Sequence, residues 1–251
     1  MNVSLFITCV SDMFYPNVGR SVVGLLERHD VSVDFPEEQT CCGQPAFNTG
    51  YYDETRTAAK HLINVFENSE YIVSPSGSCV SMVRHFYPKL FEDDANWQSR
   101  AQSLGKRMFE FSEFMINVLK IRSLDAAFPG TATYHQSCHM SRGIRIVDEP
   151  VQLLKMVDGL EIIELPYKED CCGFGGTFAV KMYEISEKMV AEKAQHIQAT
   201  GARYLVGSDM ACLMNIGGYM HRHNMPVRVY HVAELLYKGV TQSENKQSIV
   251  S

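Results

Sequence analysis

The sequence has no run approaching the roughly 18 consecutive apolar residues that a membrane span needs, and its first ten residues, MNVSLFITCV, place no basic stretch ahead of their short apolar run. Neither direct membrane insertion nor an export leader is therefore expected. A basic stripe is missing as well. The 23 Lys and Arg are dispersed against 29 Asp and Glu, for a net charge of −6, which lacks the electrostatic footprint of a nucleic-acid binder. Nucleotide loops are absent: the GFGG at 173–176 fails the G-x-G-x-x-G spacing, has no Walker lysine and follows two thiols. No C-x-x-C pair occurs, and no ferredoxin-type C-x-x-C-x-x-C run. With no site for a nicotinamide or flavin, the chain is not expected to remove a hydride unaided. The expectation is a soluble, cytoplasmic protein whose thiols stay reduced and serve as ligands or catalysts.

What the sequence does have is eight cysteines in one arrangement used twice. A lone Cys is followed 32 or 33 positions later by Cys-Cys-Gly, and then by another lone Cys. The copies are Cys9, Cys41, Cys42 and Cys79, then Cys138, Cys171, Cys172 and Cys212, offset by 129 to 133 positions. No cysteine is left over. At 251 residues the chain is long enough to bury a core without covalent staples, so two four-thiol sets at matching spacing point to paired metal or redox sites.

Each half alternates strands and helices. In the first, a strand at VSLFITCV delivers Cys9, a helix covers 18–28, VSVDFP is a strand ahead of TCCGQPAF, 53–68 is helical, and YIVSPSGSCV is a strand whose turn carries Cys79. In the second, ATYHQSCHM leads to Cys138, a helix lies near 151–157, LEIIELP precedes DCCGFGG, 182–199 is helical, ARYLVGSD is a strand, and Cys212 opens the next helix. The strand VRVYHV and a short helix through Leu235 and Leu236 finish the fold. The implied architecture is α/β, two similar parallel-sheet halves related by an internal repeat, with metal sites at the C-terminal ends of strands. The expected division is a first repeat over 1–95, an amphipathic helix at 97–119 and a linker with a joint at FPG (128–130) within 96–130, a second repeat over 131–238, and a disordered polar tail over 239–251.

Vicinal cysteines close an isolated tetrahedral zinc site less easily than a C-x-x-C knuckle, whereas adjacent thiolates can ligate or bridge different irons of a cluster. Gly43 and Gly173 permit positive φ and a close approach of peptide N–H groups to sulfur, and Gly175 and Gly176 extend that freedom. His135 and His139 flank Cys138, and each can ligate a metal, bond a sulfur, pass protons or simply close the strand end. Phe6 and Val10 stand at the aligned positions of the first half. His231 reads as structural. Zinc remains open for one half, with Asp209 or His139 able to replace a thiolate.

The lone Cys, CCG and Cys-bearing turn, present twice, resemble the CCG cysteine-rich domain of heterodisulfide reductases and of iron–sulfur components of glycolate and glycerol-3-phosphate oxidoreductases. DFPEEQTCCGQPAFNTGY, PSGSC, CCGFGGTFAVKM and ACLMNIGG are similar, more narrowly, to the A-type lactate utilisation proteins, from about Val3 to Leu236. The resemblance implies an iron–sulfur oxidoreductase subunit in the oxidation of L-lactate to pyruvate. It implies iron–sulfur clusters on all eight cysteines, up to two and of the [4Fe–4S] type as the simpler expectation. It also implies two further lactate utilisation subunits as partners, one with ferredoxin-like clusters. The broader family closes its motif with C-x-x-C, where this chain has Ser76 and Asp209, which makes both candidate oxygen ligands. A cluster-dependent disulfide reductase and a zinc-stabilised scaffold subunit without redox activity are the alternatives.

Overall fold

The computed structural model describes residues 1–250, without the side chains of 244–250; Ser251 lies outside the described residues. Two sheets of four parallel strands carry the fold. The first contains β1 (Asn2–Leu5), β2 (Ser32–Asp34), β3 (Tyr71–Ser74) and β4 (Met108–Glu110) in the order β2-β1-β3-β4. The second contains β5 (Ala127–His135), β6 (Asp158–Ile163), β7 (Tyr204–Gly207) and β8 (Arg228–His231) in the order β6-β5-β7-β8. The two orders are the same topology. The expected α/β repeat is thus the observed one, and in each sheet the strand order reverses at its founding strand, β1 or β5. In open parallel sheets that is where ligands collect, outside the carboxyl ends of the strands.

The first half extends further than the sequence suggests. The 97–119 segment is not one helix: Ala95–Arg107 is helical, started by Asp94 accepting from the Trp97 N–H, and then the chain straightens into β4. Met108, Phe109 and Glu110 pair in parallel with Ile72, Val73 and Ser74, so sheet pairing overrides the helical period of the apolar residues. The expected 96–130 connector therefore contains the first sheet's fourth strand. FPG is not a joint either. Pro129 and Gly130 lie inside β5, where the register with β6 shifts and Gly130 has φ +142°, the irregularity that lets proline sit in a strand.

One apolar core joins both sheets. Val3, Leu5 and Val73 of the first and Ala132, Tyr134 and Val206 of the second belong to it, with Leu25, Leu26, Leu153, Leu235 and Leu236 from the covering helices. Each fully buried aliphatic side chain contributes about 1.5–3 kcal/mol. The last helix, Val232–Val250, crosses from the second half to the first and lies on helix Pro16–Glu27, with Tyr237 against Gly24 and under the Arg28 guanidinium. This corrects the expected disordered tail over 239–250, Ser251 lying outside the described residues. Gly239 lies against Ala126, and Val240 and Ser243 are buried, so packing continues the helix beyond Leu236.

Candidate metal centre

All eight cysteines are free and follow the C-terminal ends of strands. Cys9 opens the short helix Cys9–Phe14 after β1, Cys41 and Cys42 follow β2, and Cys79 sits in helix Gly77–Ser81 after β3. Cys138, Cys171 with Cys172, and Cys212 take the matching places after β5, β6 and β7. Local devices fix these turns. Thr8 holds a left-handed φ of +73° just before Cys9. Gln39 accepts from the Ile7 N–H at 2.9 Å and donates to the Leu5 carbonyl at 3.0 Å, pinning the loop that carries Cys41 against the exit of β1. The second half holds its equivalent loop differently, by the buried Lys193 amine donating to the Tyr167 carbonyl at 2.7 Å and the Arg142 guanidinium donating to the Glu169 carbonyl at 2.9 Å.

In the first set the Cys9 and Cys41 sulfurs are 3.5 Å apart and those of Cys42 and Cys79 3.4 Å. Tyr87 donates to the Cys42 carbonyl at 2.8 Å, and Asn215 to the Cys172 carbonyl at 2.8 Å. Gly43 and Gly173 share φ +80°, and the Gly173 N–H points at the Cys171 sulfur at 3.4 Å, the close approach expected of these glycines. Hydrogen bonds from Cys42 and Cys9 hold the Cys41 thiol well below the usual thiol range, and bonds from Cys138 and Cys172 do the same for Cys171. Cys42 and Cys172 are pushed up by the same sharing and by burial. Each set thus crowds four sulfurs that compete for protons, a donor cluster that a metal cation satisfies by displacing those protons. Two thiolates on one tetrahedral ion stand about 3.8 Å apart when each metal–sulfur bond is about 2.3 Å, so the close pairs can share a metal atom.

The second set has more around it. A nitrogen of the buried His135 and the sulfurs of Cys172 and Cys212 all lie within 4.8 Å of one another. Both ring nitrogens of His135 are buried without a hydrogen-bond partner, and burial pushes its pKa down to about 3. The Nδ1 of His139 lies 3.7 Å from the Cys138 sulfur. A metal fits this site on the structure's own terms, since it satisfies orphaned nitrogen and crowded sulfur together.

Ser76 and Asp209 are placed by the repeat in equivalent positions, and they meet. The Ser76 hydroxyl caps its helix by accepting from the Cys79 N–H, while Asp209 accepts from the Ser78 N–H at 2.9 Å, the Ala211 N–H at 3.3 Å and the Ser76 hydroxyl at 3.4 Å. Their oxygens are engaged in tying the two halves together beside the thiols. The hollows over the two sets consequently have a common wall of Gln44, Pro45, Ser78, Phe174, Asp209 and Ala211. His231 is structural as expected: its Nε2 bonds the Pro75 carbonyl at 3.0 Å across the same junction, and Nδ1 accepts from the Ala233 N–H.

Sequence reading missed a cleft of about 770 Å³ beside Cys138 and His139, between the π-helical turns Met82–Phe86 and His139–Ile144. Arg84, His85, Lys89, Arg142 and Arg145 line it with His139, and no carboxylate stands among its described lining residues. These side chains come from segments about 55 residues apart, so no linear pattern announces them.

Comparison with known proteins agrees with the geometry. The CCG cysteine-rich domain matches twice, over residues 3–84 and 132–217. The chain is 55% identical over 242 residues to "Lactate utilization protein A 2" of Bacillus cereus, covering 96% of this chain and 100% of that protein. It is 53% identical over 236 residues to "Lactate utilization protein A" of Halalkalibacterium halodurans, covering 94% and 96%. Among solved structures a hypothetical protein from Helicobacter pylori shares the fold with a TM-score of 0.69 at 9% identity, matching 98% of this chain and 51% of that longer one. Two CCG domains on one repeated sheet topology, with near-full-length relatives of one name, place this chain in the CCG cysteine-rich-domain family and, within it, among the lactate utilisation A proteins.

Proposed function

We propose that this chain is the iron–sulfur oxidoreductase subunit of a cytoplasmic lactate-oxidising complex. It works with two further lactate utilisation subunits, one of which carries ferredoxin-like clusters. The observation that carries the reading is the pair of four-thiol sets at the strand ends of two sheets, separated by one wall. Oxidising L-lactate to pyruvate releases two electrons and two protons, and an iron–sulfur cluster supplies one-electron oxidation and reduction. Cys9, Cys41, Cys42 and Cys79 would hold one cluster, and Cys138, Cys171, Cys172 and Cys212 the other. Peptide N–H groups such as that of Gly173 offset negative charge on ligating sulfur, which raises a cluster's potential. Lys89, Arg142 and Arg145 in the cleft beside Cys138 give an otherwise acidic chain a positive field for an anionic 2-hydroxy acid, Arg84 being paired with Glu113.

A second reading has an observation of its own. Sulfurs 3.4–3.5 Å apart suit two thiolates on one metal atom, which favours zinc in one site and a scaffold role for that half. Anaerobic purification followed by iron, zinc and acid-labile sulfide analysis separates the two. About four irons and four sulfides per occupied site, with absorption bleached by dithionite, supports the redox reading; colourless protein with zinc alone overturns it. Cys42→Ser and Cys172→Ser are each expected to lower bound metal and abolish growth on lactate, because a hydroxyl replaces a thiolate poorly on iron. Full growth with both changes present contradicts the redox reading.

A further inference from the structure

The two thiol sets are not equivalent, and the difference lies in one side chain. His135 is the last residue of β5, paired with Gly207 of β7, and only 1% of its surface is exposed. Buried polar groups are almost always bonded, yet neither of its ring nitrogens has a partner. His231 behaves otherwise. That ring sits at the end of β8, is as deeply buried, and has both nitrogens satisfied by backbone. The chain therefore does satisfy a buried imidazole where one is structural. At His135 the open valence instead faces sulfur, with a ring nitrogen within 4.8 Å of the Cys172 and Cys212 sulfurs.

The first half has nothing comparable. Phe6 stands at the aligned position, fully buried, edge-on to Phe66 with ring centroids 5.7 Å apart. A ring of similar size fills the same place in both halves, but only in the second does it bring a nitrogen lone pair. Neutral imidazole is a good ligand for zinc and for iron, and exchanging sulfur for nitrogen alters both geometry and potential.

We propose that His135 is a metal ligand of the second site, so that this site binds through nitrogen and sulfur while the first binds through sulfur alone. This rests on the reading of the thiol sets as metal sites, but it holds for either metal. Where the occupant is an iron–sulfur cluster, His135 binds one of its irons; where it is zinc, His135 completes a set with Cys172, Cys212 and one further thiolate.

The test uses the full chain purified anaerobically, unlabelled and with 15N-histidine. Pulsed EPR of the reduced protein reads nitrogen coupled to iron, and X-ray absorption at the iron and zinc edges reads the ligand shell. A directly coordinated nitrogen that responds to the label is expected, lost in His135→Phe and retained in His139→Val, each variant taking the residue of the first half. With zinc in the second site, the expected nitrogen shell lies at about 2.0–2.1 Å beside sulfur at about 2.3 Å. The wild-type labelling needs no variant to fold. Iron present with sulfur ligation only overturns this inference and leaves the redox reading standing. Zinc alone with a nitrogen shell lost in His135→Phe upholds it and overturns the redox reading. A histidine nitrogen that survives His135→Phe but vanishes in His139→Val overturns the assignment to His135, and a chain that binds no metal overturns both.

Discussion

Replacing Asp209 tests the junction between the halves. Its side chain is 2% exposed and accepts from the Ser78 and Ala211 N–H groups and the Ser76 hydroxyl. Asp209→Ala removes the N-cap of helix Met210–Arg222, which costs about 1 kcal/mol. It also leaves the half-buried Ser78 N–H without its acceptor, where a lost partner costs at most about 1–3 kcal/mol. The expected loss is therefore about 1–3 kcal/mol. Asp209→Asn keeps a cap oxygen of nearly equal preference but loses charge-assisted bonding, for about 1 kcal/mol. Urea unfolding of the full chain under anaerobic conditions measures this as a midpoint shift with unchanged slope. Metal analysis of the same samples adds a second readout. Because the Asp209 oxygens are engaged by N–H and O–H donors, Asp209→Asn should keep the metal content of the wild type. An alanine variant within about 0.5 kcal/mol of wild type, or an asparagine variant short of one metal equivalent, refutes the reasoning.

Two further outcomes follow from single residues. Gly43 and Gly173 have the same φ of +80°, yet a Cβ at Gly173 meets the Ser186 carbonyl oxygen at 2.8 Å, whereas the nearest atom to one at Gly43 is the Thr55 methyl at 3.2 Å. Both alanine variants bear the left-handed penalty of about 1–2 kcal/mol, so Gly173→Ala should be the less stable and should lose metal from the second site; equal midpoints and metal contents contradict this. Glu110, fully buried at the end of β4, is pushed up to about 8 by burial against the opposing bonds from the Ser112 and Glu113 N–H groups. The folded state then binds the proton that the unfolded state releases near 4.5, so stability is full below that value and falls as pH rises toward 8. Glu110→Gln removes this dependence, and its stability relative to wild type should rise by about 3 kcal/mol between pH 5 and pH 8; a difference that stays flat with pH rules the assignment out.

The fold was legible because the repeat carries its own check. β1 and β5, β3 and β7, and the helices 52–65 and 183–199 can be read from apolar periodicity in one half and found again in the other. Reading failed where pairing, rather than period, decides. Met108, Phe109 and Glu110 belong to a helical pattern in sequence and become a strand because β3 offers an open edge. Residues from Gly239 on look like a polar tail, and Val240 and Ser243 stay helical because they still find the core. The cysteines announced themselves by spacing. Ser76 and Asp209 were visible only as departures from a thiol motif, since nothing along the chain says that residues 133 positions apart form a bridge. The open valence of His135 depends on what surrounds a buried ring, which no spacing encodes.

That bridge bears on why the two halves share a chain. The hollow over Cys9, Cys41, Cys42 and Cys79 is closed by Phe174, Asp209, Met210 and Ala211 from the second half, and that over Cys138, Cys171, Cys172 and Cys212 by Gln44, Pro45, Asn48 and Ser78 from the first. Thr49 and Thr177 bond across the same boundary at 3.0 Å, and the last helix lies on Pro16–Glu27. A half cut free would expose its thiols along this seam and leave apolar helix faces open to water. Each half therefore completes the hollow over the other's thiols. Because the wall between the sites is built jointly, the scaffold is fixed by both copies while the residues inside each hollow remain free to diverge. Phe6 opposite His135 and Val10 opposite His139 are that divergence: positions made equivalent by the repeat, holding carbon in one half and nitrogen in the other.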